Sequence, residues 1–289
     1  MITQHMRPEQ KVAQYIRDEL GSQYSPSETM AISRLILDDL KVEMHALLFQ
    51  DKINHLSEFD TRNRLKEIIA RLKTGEPIQY VLGKTEFHGL IFRVTPDVLI
   101  PRPETEELVE WVLDEASSDN FSLLDIGTGS GCIAVTLAKK LPFSEVDGCD
   151  ISERALSIAT LNARDNGVAV RYFTQDIFTP FLVDRSYDAV ISNPPYVLES
   201  EKAEMEKNVL DFEPSQALFV PDNSPLIFYE RIADLSCEIL NEQGKLYFEI
   251  NRERSEEIGE ILLDKGYRDV TIKNDISGNP RMIRAIKPN

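Results

Sequence analysis

Apolar positions recur at two different periods along this chain, and the change falls near residue 75. Over residues 7–72 they fall three and four apart, as in Val12-Ala13-Gln14-Tyr15-Ile16 and Ala31-Ile32-Ser33-Arg34-Leu35-Ile36-Leu37. That spacing predicts amphipathic helices. Ser25-Pro26-Ser27-Glu28 supplies a start signal, with proline at the first helical position and an acid in the first turn. Leu65–Leu72 closes a bundle of four or five helices, which Gly75 and then Pro77 stop. From Ile78 to Arg102 the pattern alternates instead: Glu86-Phe87-His88 and Leu90–Val94 flank Gly89 and predict a β-hairpin.

Beyond a helix from about Glu104 to Ala116, striped with Leu108, Trp111 and Val112, strands and helices alternate regularly. Strands are predicted at Phe121–Ile126, Glu145–Asp150, Val168–Phe173, Tyr187–Ser192 and Lys245–Ile250. Helices are predicted at Cys132–Leu141, Ser152–Asn166, Leu226–Leu240 and Arg254–Lys265. Such alternation means an α/β fold with a mainly parallel sheet covered on both faces. The last two strands, near Val270–Ile272 and Met282–Ile286, have no helix between them and should pair antiparallel. Three regions result: a helical domain over 1–73, a hairpin linker over 74–100 and the α/β domain over 101–289.

Composition narrows the function. At 42% hydrophobic and 28% charged, without a run of membrane-spanning length, the chain reads as a soluble globular protein with no membrane association. Residues 1–8 lack the features of a signal or transit peptide, so a cytoplasmic protein is expected. Three cysteines without CxxC spacing suit a reducing compartment, and four scattered histidines give no metal-ligand spacing. The net charge of −17 is uneven: residues 1–72 hold ten Lys+Arg against eleven Asp+Glu, residues 73–289 hold 22 against 38. A field of that sign repels a nucleic-acid backbone, so no direct nucleic-acid partner is expected.

Two stretches carry chemistry. Asn193-Pro194-Pro195-Tyr196 follows the short apolar run Tyr187–Ser192, at the strand end where open α/β sheets bind ligands. The two prolines fix an extended backbone, so that the Asn193 side chain and the Pro194 carbonyl can present two acceptors beside the Tyr196 ring. Two acceptors and a flat wall suit a planar NH2 group, although Asn-Pro and Pro-Pro are also ordinary turn punctuation. The second stretch is Asp125-Ile126-Gly127-Thr128-Gly129-Ser130-Gly131, a glycine-rich turn between a strand and a helix. Its G-x-G-x-G spacing, with Asp150 ending the next strand, departs from a dinucleotide site. S-adenosylmethionine fits better: its carboxylate could meet the loop amides, Asp150 the ribose hydroxyls and Asp176 the adenine amine. Single strand-end carboxylates are as often merely solvated.

Taken in order, Asp125–Gly131, Asp150, Gln175-Asp176-Ile177-Phe178 and Asn193–Tyr196 resemble class I S-adenosylmethionine-dependent methyltransferases acting on planar nitrogen. Gly75–Tyr80, Leu99-Ile-Pro-Arg-Pro-Glu-Thr-Glu106 and Phe212-Glu-Pro214 with Ala217-Leu218 narrow the resemblance to the HemK/PrmC family. It implies a Rossmann-like, seven-stranded, mostly parallel sheet with an antiparallel terminal strand, plus an N-terminal helical domain that recognises substrate. It also implies methylation of the glutamine side-chain nitrogen in the Gly-Gly-Gln motif of peptide chain release factors. Apart from the resemblance, a monomer is expected. Asn193, Pro194, Pro195 and Tyr196 would then hold the target amide. Asp125, Gly127, Thr128, Gly129, Ser130, Gly131, Asp150, Asp176, Ile177 and Asn193 would hold the cofactor, with no metal. A glutamine methyltransferase of a ribosomal protein and a nucleic-acid adenine N6-methyltransferase share the Asn-Pro-Pro-Tyr motif. The chain departs from the family pattern at Phe219–Asn223 and at Glu249-Ile250-Asn251, where a glycine-rich turn and Glu-Ile-Gly are usual.

Overall fold

The computed structural model describes residues 8–48, 58–116, 120–181 and 185–288. The leader reading at 1–7 and the helical reading at 7 and 49–57 therefore fall outside the described residues. The chain divides into two compact units. One comprises Met1–Gly83 with Lys207–Phe212, the other Lys84–Glu206 with Glu213–Asn289. Among the described residues no helix is long and apolar enough to cross a membrane.

The first unit contains α1 (Pro8–Leu20), α2 (Pro26–Leu48), α3 (Glu58–Leu72) and the short α4 (Ile78–Leu82). At the start of α2, the Glu28 carboxylate accepts the Ser25 N–H at 2.8 Å and Ser25 Oγ accepts the Glu28 N–H at 3.3 Å. This reciprocal cap satisfies donors that a helix start otherwise leaves unpaired. Ile16, Leu20, Ile36, Ile68 and Leu72 form the apolar centre. The sequence pattern missed α4, five residues long, which is held by Arg71: its guanidinium pairs with Glu76 and donates to the Tyr80 and Val81 carbonyls, both at 3.1 Å.

In the second unit the hairpin comes first, β1 (Lys84–Phe87) against β2 (Leu90–Arg93). Its turn residues, His88 and Gly89, both have positive φ (51° and 74°), the twist a two-residue hairpin turn needs. Phe87 and Phe92 are buried edge to face, with ring centroids 5.9 Å apart, in the same core as Leu108 and Val112. The hairpin is thus packed into this unit.

The helices α5 (Pro103–Glu115), α6 (Cys132–Lys140), α7 (Glu153–Asp165), α9 (Ile227–Ile239) and α10 (Ser255–Asp264) cover a seven-stranded sheet, while α8 (Lys207–Phe212) belongs to the first unit. The sheet strands are β3 (Ser122–Ile126), β4 (Glu145–Asp150), β5 (Arg171–Thr174), β6 (Tyr187–Ser192), β9 (Leu240–Glu249), β10 (Arg268–Asn274) and β11 (Pro280–Ile286). They lie in the order β10-β11-β9-β6-β3-β4-β5, with β11 antiparallel to both neighbours. This is the expected α/β class and the expected final pair. A two-strand sheet, β7 (Val197–Leu198) beside β8 (Phe219–Val220), was not foreseen.

Period-two alternation sorts the sheet residues. Leu124, Val190, Leu246 and Phe248 pack on one face; Leu123, Ala189, Ile191 and Tyr247 pack on the other. Each fully buried aliphatic side chain contributes about 1.5–3 kcal/mol. What matters for function is the register: Ile126 of β3 lies beside Ser192 of β6, and Ser192 Oγ donates to the Ile126 carbonyl at 2.7 Å. The chain goes from β3 to β4 on one side and reaches β6 on the other, which makes this pair the switch point of the sheet. There the loops leave in opposite directions and open a crevice.

Candidate active site

A cavity of about 500 Å³ occupies that crevice. Of the thirteen residues the sequence singled out, the structure brings ten to its wall: Gly127, Thr128, Gly129, Ser130, Asp150, Asp176, Ile177, Asn193, Pro194 and Pro195. Asp125, Gly131 and Tyr196 are not on the wall, and each lies behind one of the two loops.

The glycine-rich loop is held from below. The Asp125 carboxyl, 1% exposed, takes the Thr128 hydroxyl at 2.6 Å and the Ala134 N–H at 3.3 Å on the same oxygen. Burial pushes its pKa up to about 7, with a further rise from the Asp150 charge. Gly131 opens α6 at φ +79°, and a Cβ there would stand 2.7 Å from the Tyr172 hydroxyl and 3.0 Å from Ala159 Cβ. Its role is close packing of α6 on its neighbours. The buried Asn162 on α7 joins loop and hairpin: its amide exchanges hydrogen bonds with Arg93 N and O (2.7 and 3.1 Å) and donates to the Ser130 carbonyl at 2.8 Å.

One expectation needs correction. The loop amides were expected to meet a ligand carboxylate, but most are engaged within the protein. Gly127 and Thr128 N–H both go to the Cys149 carbonyl at 2.9 and 3.0 Å, and Gly131 N–H goes to Thr128 O. Gly129 N–H goes to Asp150 Oδ2 at 2.9 Å. The parallel pairing of β3 with β4 carries on into the turn and takes the Gly127 and Thr128 donors, while the Asp150 side chain takes that of Gly129 and the turn itself that of Gly131. The loop therefore presents a small, smooth surface to the cavity.

Asp150 also accepts the Ser152 N–H at 2.9 Å, and burial raises its pKa. Asp176 accepts the Phe178 N–H at 2.9 Å, beside a pair of aromatic rings, Phe178 and Phe228, whose centroids are 5.5 Å apart. Carboxylates at the end of β4 and just past β5, with apolar Ile177 and Phe228 on the same cavity wall, match a ribose-and-purine ligand. Glycines let that ligand approach the backbone closely. On this donor set the cavity fits an adenosyl group.

At the second loop, Asn193 Nδ2 donates to Thr105 Oγ1 at 3.3 Å. Thr105 in turn donates to Glu249 Oε2 at 2.6 Å, and the Tyr196 hydroxyl donates to Glu249 Oε1 at 3.2 Å. Tyr196 thus turns toward the sheet. Glu213, whose side chain is 2% exposed, accepts from Arg102 at 2.6 Å and from Ile100 N–H at 3.3 Å, which ties the proline-rich segment to Pro214 on the far wall. Sequence reasoning gave no role to Thr105, Glu213 or Glu249. The stretches Leu99–Glu106, Phe212–Pro214 and Glu249–Asn251 contained all three without saying what each does.

The two departures from the family pattern are built in. Asn251 has φ −66°, which any residue adopts. It donates to Tyr196 O at 3.3 Å and accepts the Glu253 N–H at 2.9 Å. Phe219 and Val220 form β8, and Asp222 accepts both the N–H and the hydroxyl of Ser200 at 3.0 and 2.8 Å.

Residues 105–212 match the family model of the methyltransferase small domain. The chain is 48% identical to a release factor glutamine methyltransferase of Bacteroides thetaiotaomicron, over 95% of this chain and 99% of that one. It is 47% identical to one of Flavobacterium psychrophilum, over 75% of this chain and 78% of that one. Among solved structures, a methyltransferase from Pyrococcus furiosus is similar in fold, at a TM-score of 0.53 and 17% identity, covering 78% of this chain and 99% of that one.

Proposed function

The chain belongs to the release factor glutamine methyltransferase family, and we propose that it methylates the side-chain amide nitrogen (N5) of the glutamine in the Gly-Gly-Gln motif of peptide chain release factors. The observation that carries this reading is the shared wall: Gly127–Ser130 and Asn193–Pro195 face one cavity at the switch point. When bound, S-adenosylmethionine would supply a methyl group activated on sulfonium: as the N–CH3 bond forms the S–CH3 bond breaks, the neutral thioether S-adenosylhomocysteine leaves, and the methylated nitrogen gives up one proton to solvent. Asp150 and Asp176 would hold its ribose and adenine amine, with Ile177 and Phe228 against the base and the glycine loop beneath it.

The remaining work falls to the chain. A carboxamide nitrogen is a weak nucleophile because its lone pair is delocalised into the carbonyl. Asn193 Oδ1 and the Pro194 carbonyl accept its two hydrogens, which fixes the nitrogen in one direction and supports the positive charge that grows on it. Asn193 is half-buried and Pro194 buried, and the two prolines place these acceptors on stiff backbone at the cavity wall. We assign Asp125, Gly131 and Tyr196 to holding the two loops.

We further assign the helical unit to recognition of the protein substrate. The excess of acidic residues after residue 72 favours a protein partner over a nucleic acid. The three free cysteines suit a reducing, cytoplasmic setting, and we take the enzyme to act as a monomer. The test is methyl transfer from labelled S-adenosylmethionine to purified release factor, beside a factor whose Gly-Gly-Gln glutamine is changed. Label on the unchanged factor alone is the expected result. Equal label on both, or none on either while cofactor binds, would overturn the substrate assignment.

A further inference from the structure

An asparagine side chain can serve a substrate NH2 only with its oxygen turned toward it. A half-turn of the Asn193 amide would present an NH2 group instead, two donors face to face, with almost no change in shape. Something must choose between the two orientations, and hydrogen bonds from outside the motif do so.

Glu249 closes β9 with its carboxylate 1% exposed. It takes the Thr105 hydroxyl proton at 2.6 Å on one oxygen and the Tyr196 hydroxyl proton at 3.2 Å on the other. A threonine hydroxyl has one proton. With that proton on Glu249, Thr105 Oγ1 has only lone pairs left for Asn193, and Asn193 answers with Nδ2 at 3.3 Å. Thr105 is itself 2% exposed, so no bulk water competes for the position. Burial, with a smaller push from the Glu104 charge, leaves the Glu249 pKa raised; the Thr105 and Tyr196 hydroxyl donors and the nearby Arg281 cation, itself anchored on Asp275 at 3.4 Å, hold that rise down.

We propose that Thr105, its proton held by Glu249, is the positioning residue that sets the Asn193 amide with Nδ2 inward and Oδ1 toward the substrate. The inference rests on the methyltransferase reading above. Thr105 acts by the direction of one hydrogen bond, so a side chain of the same shape without the hydroxyl should fail, and a smaller one that keeps it should succeed. Glu249→Gln reaches the same point from the other end. An amide NH2 at 249 can donate to Thr105, which releases the threonine proton toward Asn193 and favours the wrong orientation.

The experiment is steady-state methyl transfer to release factor by full-length wild type, Thr105→Val, Thr105→Ser and Glu249→Gln. Cofactor affinity by calorimetry and thermal melts accompany it. Thr105→Val should lower kcat by about 10- to 100-fold, the scale of a misplaced reacting group, with cofactor Kd and release-factor KM within about twofold. Thr105→Ser should recover to within about threefold of wild type, and Glu249→Gln should lose kcat as Thr105→Val does. A Thr105→Val enzyme that turns over like wild type overturns the inference and leaves the methyltransferase reading intact. So does a Thr105→Ser enzyme as impaired as Thr105→Val, which would show a packing role. If the valine variant does not fold, the serine and glutamine variants decide. Wild type that binds cofactor but transfers nothing to release factor overturns the functional reading, and this inference with it.

Discussion

Two buried carboxylates, one beneath each loop of the cavity, make an instructive pair. Asp125 supports the glycine-rich loop, Glu249 the Asn-Pro-Pro-Tyr loop, and each takes a threonine hydroxyl at 2.6 Å. Their reach differs. The partners of Asp125 lie three and nine residues along the chain, whereas those of Glu249 lie 144 and 53 residues away. So does their satisfaction. Among the described residues Asp125 Oδ1 has no hydrogen-bond partner, while both oxygens of Glu249 are engaged and an arginine stands near. Asp125 is thus a local support with one oxygen unpaired, although the loop above it is also held by Cys149, Asp150 and Asn162. The Glu249 support exists only once β6, β9 and α5 are in place together.

The contrast breaks most visibly at Asn193. Replacing it with alanine should lower turnover about 10²- to 10³-fold, the usual loss when a preorganised polar partner of the reacting group is removed, with cofactor affinity nearly unchanged. Equal loss of cofactor binding would mean that the two loops do not divide the work. Next comes the packing of the first loop. Gly131→Ala forces a Cβ to within 2.7 Å of the Tyr172 hydroxyl at φ +79°. It should cost roughly 2–4 kcal/mol from strain and overpacking, read from denaturant midpoints. A midpoint equal to wild type would refute the close-packing role.

The smallest effect sharpens the electrostatic half of the comparison. The Asp125 pKa lies near 7 in the folded chain and at its ordinary 3.8 when unfolded. A raised carboxyl favours the folded state while protonated. Its contribution is therefore present at low pH and is lost as pH climbs from the unfolded toward the folded value. Asparagine does not titrate. The stability of Asp125→Asn relative to wild type should accordingly rise by about 1.4 kcal/mol between pH 6 and pH 8, roughly 3–5 °C in Tm. A difference that stays flat over that interval would show that Asp125 is ionised throughout.

Legibility followed the same division. The loop after β3 could be read because strand, glycines and helix are contiguous, and Asn193–Tyr196 because its prolines and asparagine are an unusual local string. The supports could not. Thr105 reaches Asn193 across 88 residues, Glu213 reaches Ile100 across 113 and Asn162 reaches Arg93 across 69. No periodicity reports pairings of that span. Tyr196 shows the cost: its place in the motif suggested a ring against the substrate, and only the sheet register reveals a buried acid at the end of β9 to which its hydroxyl turns. Short elements failed for a different reason. Helix α4 has five residues and α8 six, too few for a three-to-four spacing to repeat. The engagement of the Gly127 and Thr128 amides follows from the pairing of β3 with β4, which strand prediction alone does not contain.

The grouping of Lys207–Phe212 with Met1–Gly83 has a consequence for the order in which the protein is made. The chain crosses between its two units three times, so the helical unit is incomplete until residue 212 has left the ribosome, after both cavity loops have been synthesised. At about 5–20 residues per second that is a wait on the order of ten seconds. The amino-terminal unit of this protein, though translated first, acquires its last helix only after most of the catalytic sheet exists as nascent chain.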